Sequence, residues 1–187
     1  MNEPPLDEKV VGVHGALDDA KVPHAFGGAL ALAYYAEPRA TIDIDINVFV
    51  TPDHADRALE PLRGLGADEG RVAAGRVARD GQVRIHWGTT PLDLFFSYDP
   101  FHDACAQSAR TVPFGDVPIP ILAPEHLLVC KVAFDRPKDW LDIEQMLVTT
   151  AGELDLAEVR RWVKRFVGED DARTRKLDEA IARTIGA

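Results

Sequence analysis

The stretch HAFGGALALAYYAEPRATIDIDINVFV, residues 24–50, decides how this chain is read. Gly27 and Gly28 interrupt an apolar run, and a Thr-Ile-Asp-Ile-Asp-Ile sequence closes it. Asp43 and Asp45 therefore sit inside what otherwise reads as a buried strand over Thr41–Val50. In a strand, residues i and i+2 share a face. Ile42, Ile44 and Ile46, followed by Val48 and Val50, mark the other face as core. Two neighbouring carboxylates repel, and burying them is costly unless they are paired or metal-bound. An exposed edge strand is the plain explanation. The other is a metal site at the mouth of a sheet, because carboxylates suit a hard ion such as Mg²⁺ that keeps further bonds to water and phosphate oxygens.

The glycines bear on that choice. Gly27-Gly28 falls between a short strand, His24–Phe26, and a helix expected over Ala29–Ala36 that Pro38 stops. A tight turn needs nothing more. Backbone N–H groups at a helix start also attract anions, and glycine lets a phosphate approach closely. A third carboxylate, Asp93, lies in the apolar run PLDLFFSY, residues 91–98. It is either a strand-start carboxylate capped by nearby N–H groups or the third ligand that two-metal phosphoryl chemistry requires.

Outward from this stretch the expected elements alternate. Residues 6–21 read as a helix. Thr51-Pro52-Asp53 looks like a capped start of a helix running to about Gly64. Residues 71–88, with Asp80-Gly81, read as a β-hairpin, and Arg110–Ile119 around Gly115-Asp116 as a second one. Helices follow over Ala123–Phe134, Lys138–Thr149, Leu156–Val167 and Ala172–Ile185. The fold expected is α/β (α+β): a mixed sheet flanked by helices over residues 1–122, with a C-terminal helical part over residues 123–187 packed on it, or one single domain containing both.

Composition limits the rest. The net charge is −10, and residues 1–50 hold eight acids against three bases, whereas residues 151–187 are balanced. That argues against broad coating of nucleic acid. No apolar run reaches the roughly 18 residues of a membrane span. The acidic, Pro-rich start MNEPPLDEKV does not read as a signal peptide. Cys105 and Cys130 lack CxxC spacing and read as reduced thiols of a cytoplasmic protein. The six histidines show no zinc spacing.

The combination of Phe26-Gly27-Gly28-Ala29-Leu30, Pro38–Asp45, Leu92-Asp93-Leu94, Pro124-Glu125, Lys131 and Arg136–Ile143 resembles the polymerase-β-like nucleotidyltransferase superfamily, and within it the AbiEii/MenT-type toxin nucleotidyltransferases in a minimal form. The resemblance implies that Asp43, Asp45 and Asp93 bind Mg²⁺ or Mn²⁺ and carry catalysis. It implies that Gly27 and Gly28 hold the triphosphate of an NTP, and that a nucleoside monophosphate is transferred with release of pyrophosphate. Many members carry Ser or Thr where this chain has Gly28, which leaves only backbone to serve there.

Lys131, on a largely apolar helix, is either a snorkelling side chain or a cation on the triphosphate, and the resemblance favours the second, catalytic role. Asp142 joins it on the nucleotide. Arg39 touches phosphate or pairs with Glu37, and Thr41 supports a metal ligand. Arg136, Lys138 and Asp139 are an ion-paired helix start or part of the same face. The resemblance suggests a tRNA 3′ end as acceptor and a cognate antitoxin as partner. Arg57, Arg63, Arg71, Arg76, Arg79 and Arg84, with the cluster Arg160, Arg161, Lys164 and Arg165, are the bases available to RNA, and a solvated charged face is the more common explanation of such bases. AMP transfer to a protein or a small hydroxylated molecule, and a nucleotide-binding regulatory module with little turnover, are the alternatives.

Overall fold

The computed structural model describes residues 3–68, 77, 79–150 and 152–186. The chain divides into two compact units, Met1–Leu30 with Ala40–Leu122, and Ala31–Arg39 with Ala123–Ala187. Each is described by itself.

The first unit holds the sheet. Its elements are α1 (Leu6–Asp19), β1 (His24–Phe26), the start of α2 (Gly28–Leu32), β2 (Ile44–Val48), α3 (Asp56–Gly64), β3 (Ala67–Asp68), β4 (Gln82–Trp87), β5 (Thr90–Phe96), α4 (Pro100–Ser108), β6 (Arg110–Phe114) and β7 (Val117–Ile121). The strands form one mixed sheet in the order β3-β4-β5-β2-β1-β7-β6. β2 runs parallel to β5 and antiparallel to β1, while β1 runs parallel to β7. Alternation selects the faces: Val83 and Ile85 of β4 and Leu92, Leu94 and Phe96 of β5 are buried, whereas Arg84, His86 and Asp93 face the other way. Val10, Val13 and Leu17 of α1 and Ala58, Leu59 and Leu62 of α3 recur at helical spacing and are buried. Burying each large aliphatic side chain contributes about 1.5–3 kcal/mol.

The hairpin around Asp80-Gly81 is corrected. Residues 71–76 and 78 lie outside the described residues, and Val77, Arg79 and Asp80 are helical. The hairpin at this point is β4–β5, joined by the two-residue turn Gly88-Thr89 with Trp87 opposite Thr90. Gly88 has φ +61°, a left-handed conformation that glycine adopts without strain. Lys9, fully buried, fastens this turn: its ammonium donates to the Trp87 carbonyl and Thr90 Oγ1, each at 2.8 Å, and pairs with Glu3. Glu3 in turn accepts from the Thr89 N–H at 2.7 Å.

Three further expectations shift. The strand of residues 41–50 is Ile44–Val48, so Asp43 precedes it and Ile42 is exposed rather than core. The helix after the glycines is Gly28–Leu32, a little over one turn. Thr51 makes no side-chain cap, and its hydroxyl meets His54 Nδ1 at 3.0 Å instead. Helix α4, unassigned from sequence, starts on the Asp99 cap, whose carboxylate accepts from the Phe101 N–H at 2.9 Å, with Pro100 at the first helical position.

The second unit is helical: residues Ala31–Arg39, then α5 (Pro124–Phe134), α6 (Pro137–Thr149), α7 (Leu156–Val167) and α8 (Ala172–Ile185). α5 is buried around nearly its whole circumference. It ends at Asp135, whose φ of +53° turns the chain before the Arg136-Pro137 start of α6. α7 is the amphipathic extreme, burying Val159, Trp162 and Val163 while its bases face out. Asp155 and Asp171 cap α7 and α8 through the N–H groups of Glu158 and Arg173. No helix of the described residues is long and apolar enough to cross a membrane.

Candidate functional site

The register of four neighbouring strands builds a row of side chains on one face of the sheet. Arg84 of β4 is the cross-strand partner of Asp93 of β5. Asp93 is the register partner of Asp45 of β2. The Gly27 N–H donates to the Asp45 carbonyl at 2.9 Å just past the end of β1. Two adjacent strands thus bring carboxylates 48 positions apart in sequence side by side. Asp43, two residues before Asp45, is held by the Thr41 hydroxyl, which donates to Asp43 Oδ1.

Both glycines have geometric reasons. A Cβ on Gly27 would stand 3.0 Å from Asn47 Nδ2 and 3.8 Å from Asp45 Cβ. A Cβ on Gly28 would stand 1.7 Å from Asp45 Oδ2, and Gly28 has φ +53°. A side chain at position 28 would have to displace the Asp45 carboxylate and hold a left-handed backbone that L residues rarely adopt, so a Ser or Thr there would be strained. The Gly27 N–H is engaged by Asp45, which leaves Gly28 and the residues after it as backbone that can face an anion.

Asp93 is met by a cation. Arg84 Nε and Nη2 donate to Asp93 Oδ1 and Oδ2, each at 2.6 Å, a two-pronged pair. The Arg84 side chain is 53% exposed and that of Asp93 17%. The hydrogen bond to Asp93 raises the guanidinium pKa further, with added attraction from Asp93, Asp43 and Asp45. The three carboxylates thus act on one guanidinium.

The donor set suits a hard divalent cation: carboxylate oxygens on neighbouring strands, with Gly28 leaving the space that the Asp45 carboxylate fills. Among the described residues no group of three His, Cys, Asp or Glu side chains already converges as metal ligands. Arg84 on Asp93 and Thr41 on Asp43 occupy oxygens such an ion would use.

The second unit gathers the other sequence-predicted residues. Lys131 Nζ donates to Asp142 Oδ2 at 2.6 Å, with side chains 4% and 5% exposed, and stands 4.0 Å from Asp139. Arg39 donates to both Asp142 oxygens at 3.2–3.3 Å. Arg136 donates to Asp139 at 2.6 and 3.1 Å, and its own N–H is capped by the same carboxylate. Lys131 therefore does not snorkel, and Arg39 pairs with Asp142. No bond or ion pair joins Lys138 to this group among the described residues. The tail bases are largely ion-paired within their own unit: Arg160 with Asp178 at 2.7 Å, Arg161 with Glu158 at 3.2 Å, Lys164 with Glu169 at 2.6 Å.

Sequence reading placed Arg84 among bases available to RNA and missed its pairing with Asp93. The signal was present in VRIHW-GT-TPLD, where a two-residue turn at Gly88-Thr89 sets residue 84 opposite residue 93.

No family model matches the sequence, and no curated relative matches it. Solved structures do. The solution structure of the antibiotic-resistance factor ANT(2'')-Ia aligns with TM-score 0.61 and 16% identity over 92% of this chain and 95% of that one. The crystal structure of ANT(2'')-Ia in complex with adenylyl-2''-tobramycin aligns with TM-score 0.58 and 16% identity over 86% and 95%. The lincomycin-bound lincosamide antibiotic adenylyltransferase LnuA aligns with TM-score 0.55 and 15% identity over 78% and 98%. At these identities the shared property is the fold, a mixed sheet with helices as found in nucleotidyltransferases.

Proposed function

We propose that this protein is a Mg²⁺-dependent nucleotidyltransferase that moves a nucleoside monophosphate from an NTP to an acceptor hydroxyl. The row of Asp93 and Asp45 beside a side-chain-free Gly27-Gly28 carries this reading. In the reaction an acceptor oxygen attacks the α-phosphorus, the bond to the β-phosphate oxygen breaks, and pyrophosphate leaves. Asp43, Asp45 and Asp93 would hold Mg²⁺ or Mn²⁺, which when bound neutralises the triphosphate and lowers the pKa of the attacking hydroxyl. Thr41 orients Asp43. Gly28 leaves room for the Asp45 carboxylate and offers backbone to the phosphates. The resemblance alone assigns Arg39, Lys131 and Asp142 to the nucleotide.

The resemblance to AbiEii/MenT-type toxins supports a tRNA 3′ end as acceptor, in a toxin–antitoxin setting. A second reading has its own support. Arg160, Arg161 and Lys164 of the tail are paired with acids of the same unit and the chain carries −10, a charge distribution that weighs against RNA as acceptor. A small hydroxylated acceptor, of the kind named for the adenylyltransferases that share the fold, fits that charge distribution.

The test supplies purified protein, Mg²⁺ and each α-³²P-NTP in turn with total tRNA, with cell protein, and with aminoglycoside and lincosamide panels. Label entering RNA supports the tRNA reading, and label entering a small molecule the second. Asp45→Asn and Asp93→Asn should each lower transfer by at least about 10²-fold. Full activity in either variant would remove the carboxylates from the chemistry.

A further inference from the structure

Arg84 has no part in the transfer just described, yet it is the cation that Asp93 contacts. Its position follows from hairpin register, since a two-residue turn at Gly88-Thr89 leaves no other residue opposite Asp93. Both Asp93 oxygens are taken, each at 2.6 Å. The guanidinium is half in water while its neighbours Val83 and Ile85 are buried, so Arg84 can swing away without disturbing the core face of β4. A carboxylate holding a fork of two N–H donors has its lone pairs directed at them and presents few to an ion.

We propose that Arg84 is the resident counterion of Asp93, competing with the divalent cation for that carboxylate. This rests on the reading of Asp43, Asp45 and Asp93 as metal ligands. Free of metal, both Asp93 oxygens are held by the Arg84 fork. Loading a cation requires Asp93 to release at least one of its two bonds to Arg84. The triphosphate supplies a new anionic partner for the released guanidinium, so nucleotide and cation load together, and the cation alone binds weakly. Arg84 is thus a specificity-determining residue for the nucleotide-bound cation over the free one.

Mn²⁺ titration by calorimetry, without nucleotide, tests this on the full chain as wild type, Arg84→Gln, Arg84→Lys and Asp45→Asn. Arg84→Gln should bind Mn²⁺ about three- to tenfold more tightly than wild type, the scale of a partly exposed charge-assisted pair. Arg84→Lys, a point charge without the fork, should fall between them and shows that the site folds in the variant series. Adding a non-hydrolysable NTP should tighten Mn²⁺ binding more in wild type than in Arg84→Gln. Equal, weaker or absent Mn²⁺ binding by Arg84→Gln, with binding lost in Asp45→Asn, would overturn the competition and make Arg84 a positioning residue, leaving the carboxylates as ligands. Undiminished Mn²⁺ binding in Asp45→Asn would instead defeat the ligand reading itself.

Discussion

Arg84–Asp93 and Lys131–Asp142 are both ion pairs at 2.6 Å, yet they stand in different media. The Arg84 side chain is 53% exposed; Lys131 and Asp142 are 4% and 5% exposed. In the first unit Arg84 forms a two-pronged pair with Asp93, and Asp43 and Asp45 add attraction to that guanidinium. In the second, Arg39, Lys131 and Arg136 surround Asp142 and Asp139, and each carboxylate accepts from more than one donor. The same residue types thus make an open, acid-rich row and a closed, donor-saturated knot. A closed pair is expensive to break because its remaining partner stays buried and charged. An open one is cheap to exchange because water and salt already share the charges. The row is suited to binding, the knot to holding a helix pair in place.

Unequal responses to loss of one carboxylate would sharpen this contrast most. Asp142→Asn should destabilise the protein by about 3–5 kcal/mol, because Lys131 stays buried with Asp139 4.0 Å away as its remaining carboxylate. Asp93→Asn should cost no more than about 1 kcal/mol, because Arg84 is half exposed and water takes over its charge. Equal losses in the two variants, read by thermal melts, would erase the distinction.

A smaller effect is expected at Gly28. Gly28→Ala must relieve a Cβ placed 1.7 Å from Asp45 Oδ2 and hold φ near +53°. A cost of about 1–3 kcal/mol follows from the backbone strain. Transfer activity should fall further than stability, because Asp45 must rotate to make room. A variant with wild-type activity would show that the row does not need its open flank.

The smallest effect is on pH. Burial pushes His24, His102 and His126 below the usual imidazole value of 6.5. The unfolded chain then binds more protons than the folded one, so these groups' contribution is fully present above pH 6.5 and is lost as pH falls below it. Melting temperature should drop between pH 7.5 and 5.5, read by thermal melts across that range. A flat profile would show these imidazoles to be as hydrated folded as unfolded.

Legibility from sequence followed the locality of the cause. Helices α5 to α8 were readable almost to the residue, because Pro124, Pro137, Asp155 and Asp171 mark their starts by chemistry confined to one turn. The hairpin was misplaced because Asp80-Gly81 is a stronger local turn signal than Gly88-Thr89. The latter turn is held from outside by Lys9 and Glu3, some 80 positions away. Ile42 was read as core from alternation alone, whereas the strand begins two residues later and leaves it exposed.

The sequence by itself determined a mixed α/β chain with Gly27-Gly28, Asp43, Asp45 and Asp93 as its chemically marked residues. Those marks survive in one dimension because glycine and carboxylate are rarely placed within apolar runs without cause. Only the tertiary structure decided which charges meet. Strand register put Asp93 beside Asp45 and Arg84 on Asp93, and the turn of the chain between α5 and α6 sealed Lys131 against Asp142. Electrostatic partners are fixed by distances of a few ångströms, which here join Arg84 to Asp93, 9 positions apart, and Arg39 to Asp142, 103 positions apart.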